Sequence, residues 1–84
     1  MNRARRIIHA EEVWRAGIRG QGVAVAVLDT GTAPHPDFEG RMTGFYDFMN
    51  QKKEAYDDFG HGTHVCGILC GAGKSQHAYC GIAP

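Results

Sequence analysis

Long apolar runs are missing from this chain of 84 residues. No stretch approaches the roughly 20 residues that a membrane-spanning helix needs. The basic opening "MNRARRII" turns acidic at "HAEE" instead of running into the apolar core of an export signal. An excess of one charge is missing too, since nine Lys and Arg balance nine Asp and Glu. That leaves no global attraction for nucleic acid or for an acidic membrane, so neither is an expected partner. Cysteine is scarce and odd in number: Cys66, Cys70 and Cys80. At least one thiol stays unpaired, which argues against a disulfide-stapled secreted scaffold and for a reducing, cytoplasmic setting. Repeats and low-complexity tracts are absent, and the length allows at most one small domain. The basic start reads as a solvated face or a loose end.

What is present is a short alternation of helix and strand signals. In "HAEEVWRAGI", Val13, Trp14 and Ile18 predict a short amphipathic helix over His9 to Ile18, with Gly17 near its end. "GIRGQG" reads as a turn. "VAVAVLD" is apolar on both faces, the pattern of a central parallel strand covered on each side. Pro34 and Pro36 make "TAPHPDFEGRM" a loop, and "GFYDFM" is a second candidate strand. Gly60 to about Ala72 predicts a helix with Val65, Ile68 and Leu69 as its apolar stripe. Its glycines lower helix propensity by roughly 1 kcal/mol each against Ala, so this helix is expected to pack closely, through Gly62 and Gly67. Strands and helices in this order suggest part of an open α/β sheet.

Two residues invite chemistry. Asp29 ends the apolar strand, where open α/β sheets place functional groups, although a turn-forming Asp before Thr30 and Gly31 fits equally. His61 falls in the first turn of the Gly60 helix. There the helix dipole disfavours the imidazolium, and a carboxylate such as Asp29 would counter it. An ordinary structural histidine is the alternative. His64, three residues on, shares nearly the same helix face and is expected to be a packed, hydrogen-bonded histidine. Zinc is disfavoured: metalloprotease histidines lie four apart with a Glu after the first, and here Gly62 and Thr63 follow His61. The glycines of "RGQG" precede the strand, so a dinucleotide loop fails as well.

Three stretches together, "VAVLDTG", "HGTHVCG" and "GIAP", resemble the N-terminal part of a subtilisin-like serine protease. "AEEVWRAGIRGQGVAVAVLDTG" and "HPDF" extend the likeness over about Ile8 to Pro84, and Cys66 with Cys70 resembles the intracellular bacterial branch. The resemblance implies an α/β fold with a partial parallel sheet, a Rossmann-like subtilisin fold incomplete at its C-terminus. Residues 1–84 would be an N-terminal fragment of the peptidase domain. It implies a serine-type endopeptidase acting on peptide or protein substrates, with catalytic Asp29 orienting catalytic His61 as base and acid.

The chain also departs from the family pattern. The Gly-Thr-Ser nucleophile and the oxyanion Asn are not among its residues, and Ser75 lacks the nucleophile's flanking motif, so this chain alone is expected to be inactive. Asp37 matches a family calcium ligand, which makes calcium a candidate cofactor, but "GAGKSQHAYCG" lacks the Asn-rich pattern of calcium-binding versions. Cys66 resembles the thiol of a subgroup with cysteine beneath the catalytic histidine. Asp57 and Asp58 are expected to border the substrate cleft and favour a basic side chain there. The rival reading is a non-catalytic truncated α/β fragment, a binding or association module with exposed apolar faces.

Overall fold

Two short helices open the chain in the computed structural model, which describes residues 2–84. Helix α1 spans Asn2–Ile7, and α2 spans Ala10–Arg15. α2 has Glu11 and Glu12 in its first turn and Arg15 in its last, the order that complements the helix dipole. It ends in a Schellman turn: Gly17 takes a left-handed φ of 84°, and the amides of Gly17 and Ile18 donate to Trp14 O and Val13 O. The basic start therefore forms a helix and not a loose end. Arg5 fastens it, through an ion pair with Glu11 at 3.3 Å and an Nη1–H bond to the Cys80 sulfur at 3.1 Å.

The third helix, α3, spans His61–Cys70, inside the predicted Gly60–Ala72. It packs against a single 3₁₀ turn at Pro36–Phe38, burying Phe38. Its last carbonyls are satisfied by the chain's final residues: Ile82 N–H donates to Ile68 O at 2.9 Å and Ala83 N–H to Leu69 O at 2.7 Å. Gly81 lies close under this end, where a Cβ would stand 2.7 Å from Gly67 O. A Cβ on Gly67 itself would meet nothing within 4 Å, so Gly67 does not provide the close approach expected of it. The Trp14 indole donates to Ile82 O at 2.8 Å, and Arg41 bonds Ala83 O at 2.7 Å and also Pro84 O.

The expected α/β architecture is overturned. Among the described residues there is no strand, so the partial parallel sheet of a Rossmann-like subtilisin fold does not form, and three short helices are the α-helical content. The reason is physical. A central parallel strand draws its stability from ladder bonds on both edges and from cover on both faces. Residues 23–28 have neither: Val23, Val25 and Leu28 are 69%, 59% and 89% exposed. They wall an open apolar trough of about 1240 Å³ together with Phe45, Phe48 and Leu69. "GFYDFM" likewise forms no strand. The buried apolar core is thin, limited to Ala10, Phe38 and Cys80 among the described residues. The radius of gyration, 13.4 Å, exceeds the roughly 12 Å of a globule of this length. No helix is long and apolar enough to cross a membrane among the described residues.

Candidate functional site

Asp29 and His61, 32 residues apart in sequence, meet at the start of α3, where the imidazole Nδ1 lies 2.8 Å from Asp29 Oδ1. An ionised carboxylate can only accept, so Nδ1 carries the proton and the ring's Nε2 is left with a lone pair. The Asp29 side chain is 17% exposed and that of His61 71%, so the carboxylate is shielded while the imidazole opens to water. Asp29 Oδ1 also accepts the Thr30 amide at 2.7 Å.

The electrostatics arise from these bonds. The bond to His61, then the Thr30 amide, holds the Asp29 carboxyl below the usual carboxylate range. The same bond lifts the His61 imidazole above its ordinary value, with Coulombic help from Asp29 and a smaller push from Asp57. His61 is the first residue of α3, where the helix dipole opposes the imidazolium. The Asp29 hydrogen bond and charge act against it, and they outweigh the desolvation that lowers the imidazole. Such an imidazole can take a proton at Nε2 and hold it while Asp29 balances the charge.

The approach of the two segments requires glycine at two positions. Gly31 has φ 124°, and a Cβ there would run into the Tyr56 carbonyl oxygen. A Cβ on Gly62 would run into the Gly31 carbonyl oxygen, so the Gly62 part of the close-packing expectation holds. Around them runs a polar network that the sequence does not reveal. Asp57 accepts five hydrogen bonds: Thr30 Oγ1, Phe59 N and Gly60 N on Oδ1, and Thr63 N and Thr63 Oγ1 on Oδ2. The Thr63 hydroxyl at 2.6 Å is the largest of several contacts that hold Asp57 far below the usual carboxylate range. Sequence reasoning misses Thr30 and Thr63 as parts of the site. The available signal is an Asp shortly before a helix start, poised to accept first-turn amides.

The side chains of the remaining sequence candidates take no part in these bonds. Asp58 is exposed beside the pair's segment. His64 is exposed as well, which corrects the expectation of a packed histidine. Cys66 sits half-buried on α3, and burial raises the Cys70 thiol. Ser75 lies exposed beyond α3, its amide donating to Asp37 Oδ1 at 3.0 Å. Asp37 thereby ties down the loop after α3, and its carbonyl accepts the Ala72 amide at 3.0 Å. The donors present do not fit calcium. Asp37 Oδ1 is taken by that amide, and Lys74, paired with Glu39 at 3.2 Å, brings a positive charge to the same loop. No group of three His, Cys, Asp or Glu gathers as a metal site among the described residues.

Comparison with known proteins gives this geometry a context. No solved structure matches the chain. Serine protease AprX of Bacillus subtilis is 56% identical over 79 residues, covering 90% of this chain and 18% of that protein. The minor extracellular protease Epr of the same organism is 39% identical over 77 residues, covering 92% of this chain and 12% of the relative. Its major intracellular serine protease is 39% identical over 84 residues, covering 94% of this chain and 26% of the relative. The chain thus spans about a quarter or less of each of these three relatives. The profile of the subtilase family matches residues 20–84, a stretch holding Asp29, His61 and the network that joins them, and the chain belongs to that family.

Proposed function

We propose that residues 1–84 form the N-terminal portion of a serine endopeptidase domain and supply two members of its Asp/His/Ser triad. The observation that carries this reading is the 2.8 Å bond between His61 Nδ1 and Asp29 Oδ1, with Nε2 free on an exposed ring. In the assembled enzyme His61 takes the proton of a serine hydroxyl as that oxygen attacks the peptide carbonyl. It then returns the proton to the departing amine, while Asp29 holds the ring's tautomer and balances its charge. The serine and its oxyanion donor come from sequence outside these residues, so the 84-residue chain is inactive by itself. In the same reading Asp57 and Asp58 would border the substrate cleft and favour a basic side chain there, Asp58 being the exposed carboxylate of the two. A cytoplasmic site of action is part of the proposal, supported by three free thiols and by the intracellular relative.

The test joins residues 1–84 to the downstream peptidase sequence of a subtilase relative and measures cleavage of a peptide substrate. His61→Ala is expected to lower kcat/KM by roughly 10⁴-fold or more, the scale of triad deletions in serine proteases. The unjoined chain is expected to take no label from a fluorophosphonate probe. Labelling at Ser75, or full activity of the joined His61→Ala protein, sinks the reading. A second reading has its own observation. Exposed Val23, Val25, Leu28, Phe48 and Met49 favour a non-catalytic association module. That reading predicts self-association of the chain and an inactive joined protein.

A further inference from the structure

We propose that Asp57 is a positioning residue for the Asp29–His61 pair, acting through the hydroxyls of Thr30 and Thr63. This inference rests on the catalytic reading of that pair.

The pair stands on two segments that have no ladder or apolar core to align them. Asp29 belongs to the turn 29–31, and His61 belongs to the first turn of α3. Asp57 bonds to both. Its Oδ1 accepts the Thr30 hydroxyl at 2.9 Å, one residue from Asp29. Its Oδ2 accepts the Thr63 amide at 2.9 Å and the Thr63 hydroxyl at 2.6 Å, two residues from His61. Each threonine passes the link on. Thr30 Oγ1 accepts the Gly62 amide at 2.9 Å, and Thr63 Oγ1 accepts the Ala33 amide at 2.9 Å.

The directions of these bonds are mutually fixed. A carboxylate only accepts, so each threonine must give it its one proton and turn lone pairs to the backbone amides. The turn therefore donates to Asp57 and accepts from α3, while α3 donates to Asp57 and accepts from the segment just after the turn. Two of the four amides that a helix start leaves without partners, those of Gly62 and Thr63, are satisfied in the process. Sliding residues 29–33 by one residue against residues 57–63 would break the Thr30–Asp57, Gly62–Thr30 and Ala33–Thr63 bonds and displace the 2.8 Å contact as well.

A plain helix cap would do less. Capping explains the bonds from Phe59, Gly60 and Thr63 to Asp57, but not the bond from Thr30, 27 residues distant. The Thr30 hydroxyl is therefore the discriminating atom. Removing it keeps both carboxylates, the imidazole and Asp57's own capping bonds, and cuts the two bonds that tie the turn to residues 57–62, the one to Asp57 and the one from the Gly62 amide.

The experiment is an NMR titration of the His61 ring in the 84-residue chain, with the downfield Nδ1 proton as a second readout. Asp29→Asn is expected to bring the His61 pKa down toward its ordinary value and abolish the downfield proton. Thr30→Val is expected to lower the pKa in the same direction and broaden or abolish that proton, with α3 helicity by circular dichroism retained. Thr30→Ser, which keeps the hydroxyl, is expected to titrate as the parent does. Asp57→Asn is expected to act like Thr30→Val, although it also removes a charge that helps hold His61 protonated. If Asp29→Asn lowers the pKa while Thr30→Val leaves it at the parent value, Asp57 is only a cap and the inference is wrong. If Asp29→Asn itself changes nothing, the pair is not formed, and the catalytic reading fails together with the inference.

Discussion

Residues 23–28 and residues 57–63 are about equally short, and they fare in opposite ways. The first is apolar on both faces and ends up exposed, with no strand pairing. The second is polar and glycine-rich, yet it is fixed by bonds between 2.6 and 3.1 Å. Hydrophobic burial is non-directional and needs a large partner surface, whereas a carboxylate that accepts several N–H and O–H donors needs only a few atoms within reach. A short polar stretch can therefore hold its geometry where an apolar stretch of the same length finds no partner.

Gly62→Ala should break this contrast most strongly. Alanine is the better helix former by roughly 1 kcal/mol, but its methyl would meet the backbone oxygen of Gly31, which cannot swing aside. A net loss of about 1–3 kcal/mol, the usual range for overpacking, is expected in denaturant melts of the chain. A stabilised variant would show that the turn and α3 are not in contact.

The next effect is pH dependence. The raised His61 pKa contributes stability that is fully present below about 6.5 and is lost as pH rises through the folded value. The lowered Asp29 pKa contributes stability present above about 3.8 and lost as pH falls through its folded value. Both describe one interaction, whose full contribution lies between those limits. The midpoint of thermal melting should be higher at pH 5 than at pH 9, and Asp29→Asn should shrink that difference. An unchanged difference would remove the pair from the stability of the chain.

The smallest effect belongs to the other region. Leu28→Ser exchanges a side chain that already faces water, so its stability change should stay within about 0.5 kcal/mol. A larger loss by chemical denaturation would mean that residues 23–28 are packed, and the contrast would collapse.

Legibility in the sequence divides along the same line. The α2 and α3 helices are readable because apolar spacing and a terminal glycine are local signals, as Gly17 illustrates. The site pair is readable because Asp-Thr-Gly and His-Gly-Thr-His are themselves local motifs. The partial sheet read from "VAVAVLD" does not form, because that stretch states what its side chains would accept as neighbours, and not whether neighbours are there. Helix α1 escapes notice because Arg3, Arg5 and Arg6 resemble a solvated end; the Arg5 contacts with Glu11 and Cys80 that fasten it are tertiary. His64 is misplaced because i, i+3 spacing puts it near His61 without saying which face is covered. The link from Thr30 arises only when residues about 30 apart in sequence come together, which no local pattern records, whereas Thr63 lies six residues from Asp57 and is signalled by the Asp before the helix start.

The last four residues hold a further consequence. Backbone groups of residues 81–83 receive the end of α3, the Trp14 indole of α2 and the Arg41 guanidinium at once. They act as a keystone, shared by three segments that have little else in common. Loosening of residues 81–83 would be felt simultaneously at the entry helices and at the far end of the histidine helix. Motion near Met42 and motion near Trp14 should therefore be correlated, although these residues lie far apart along the chain.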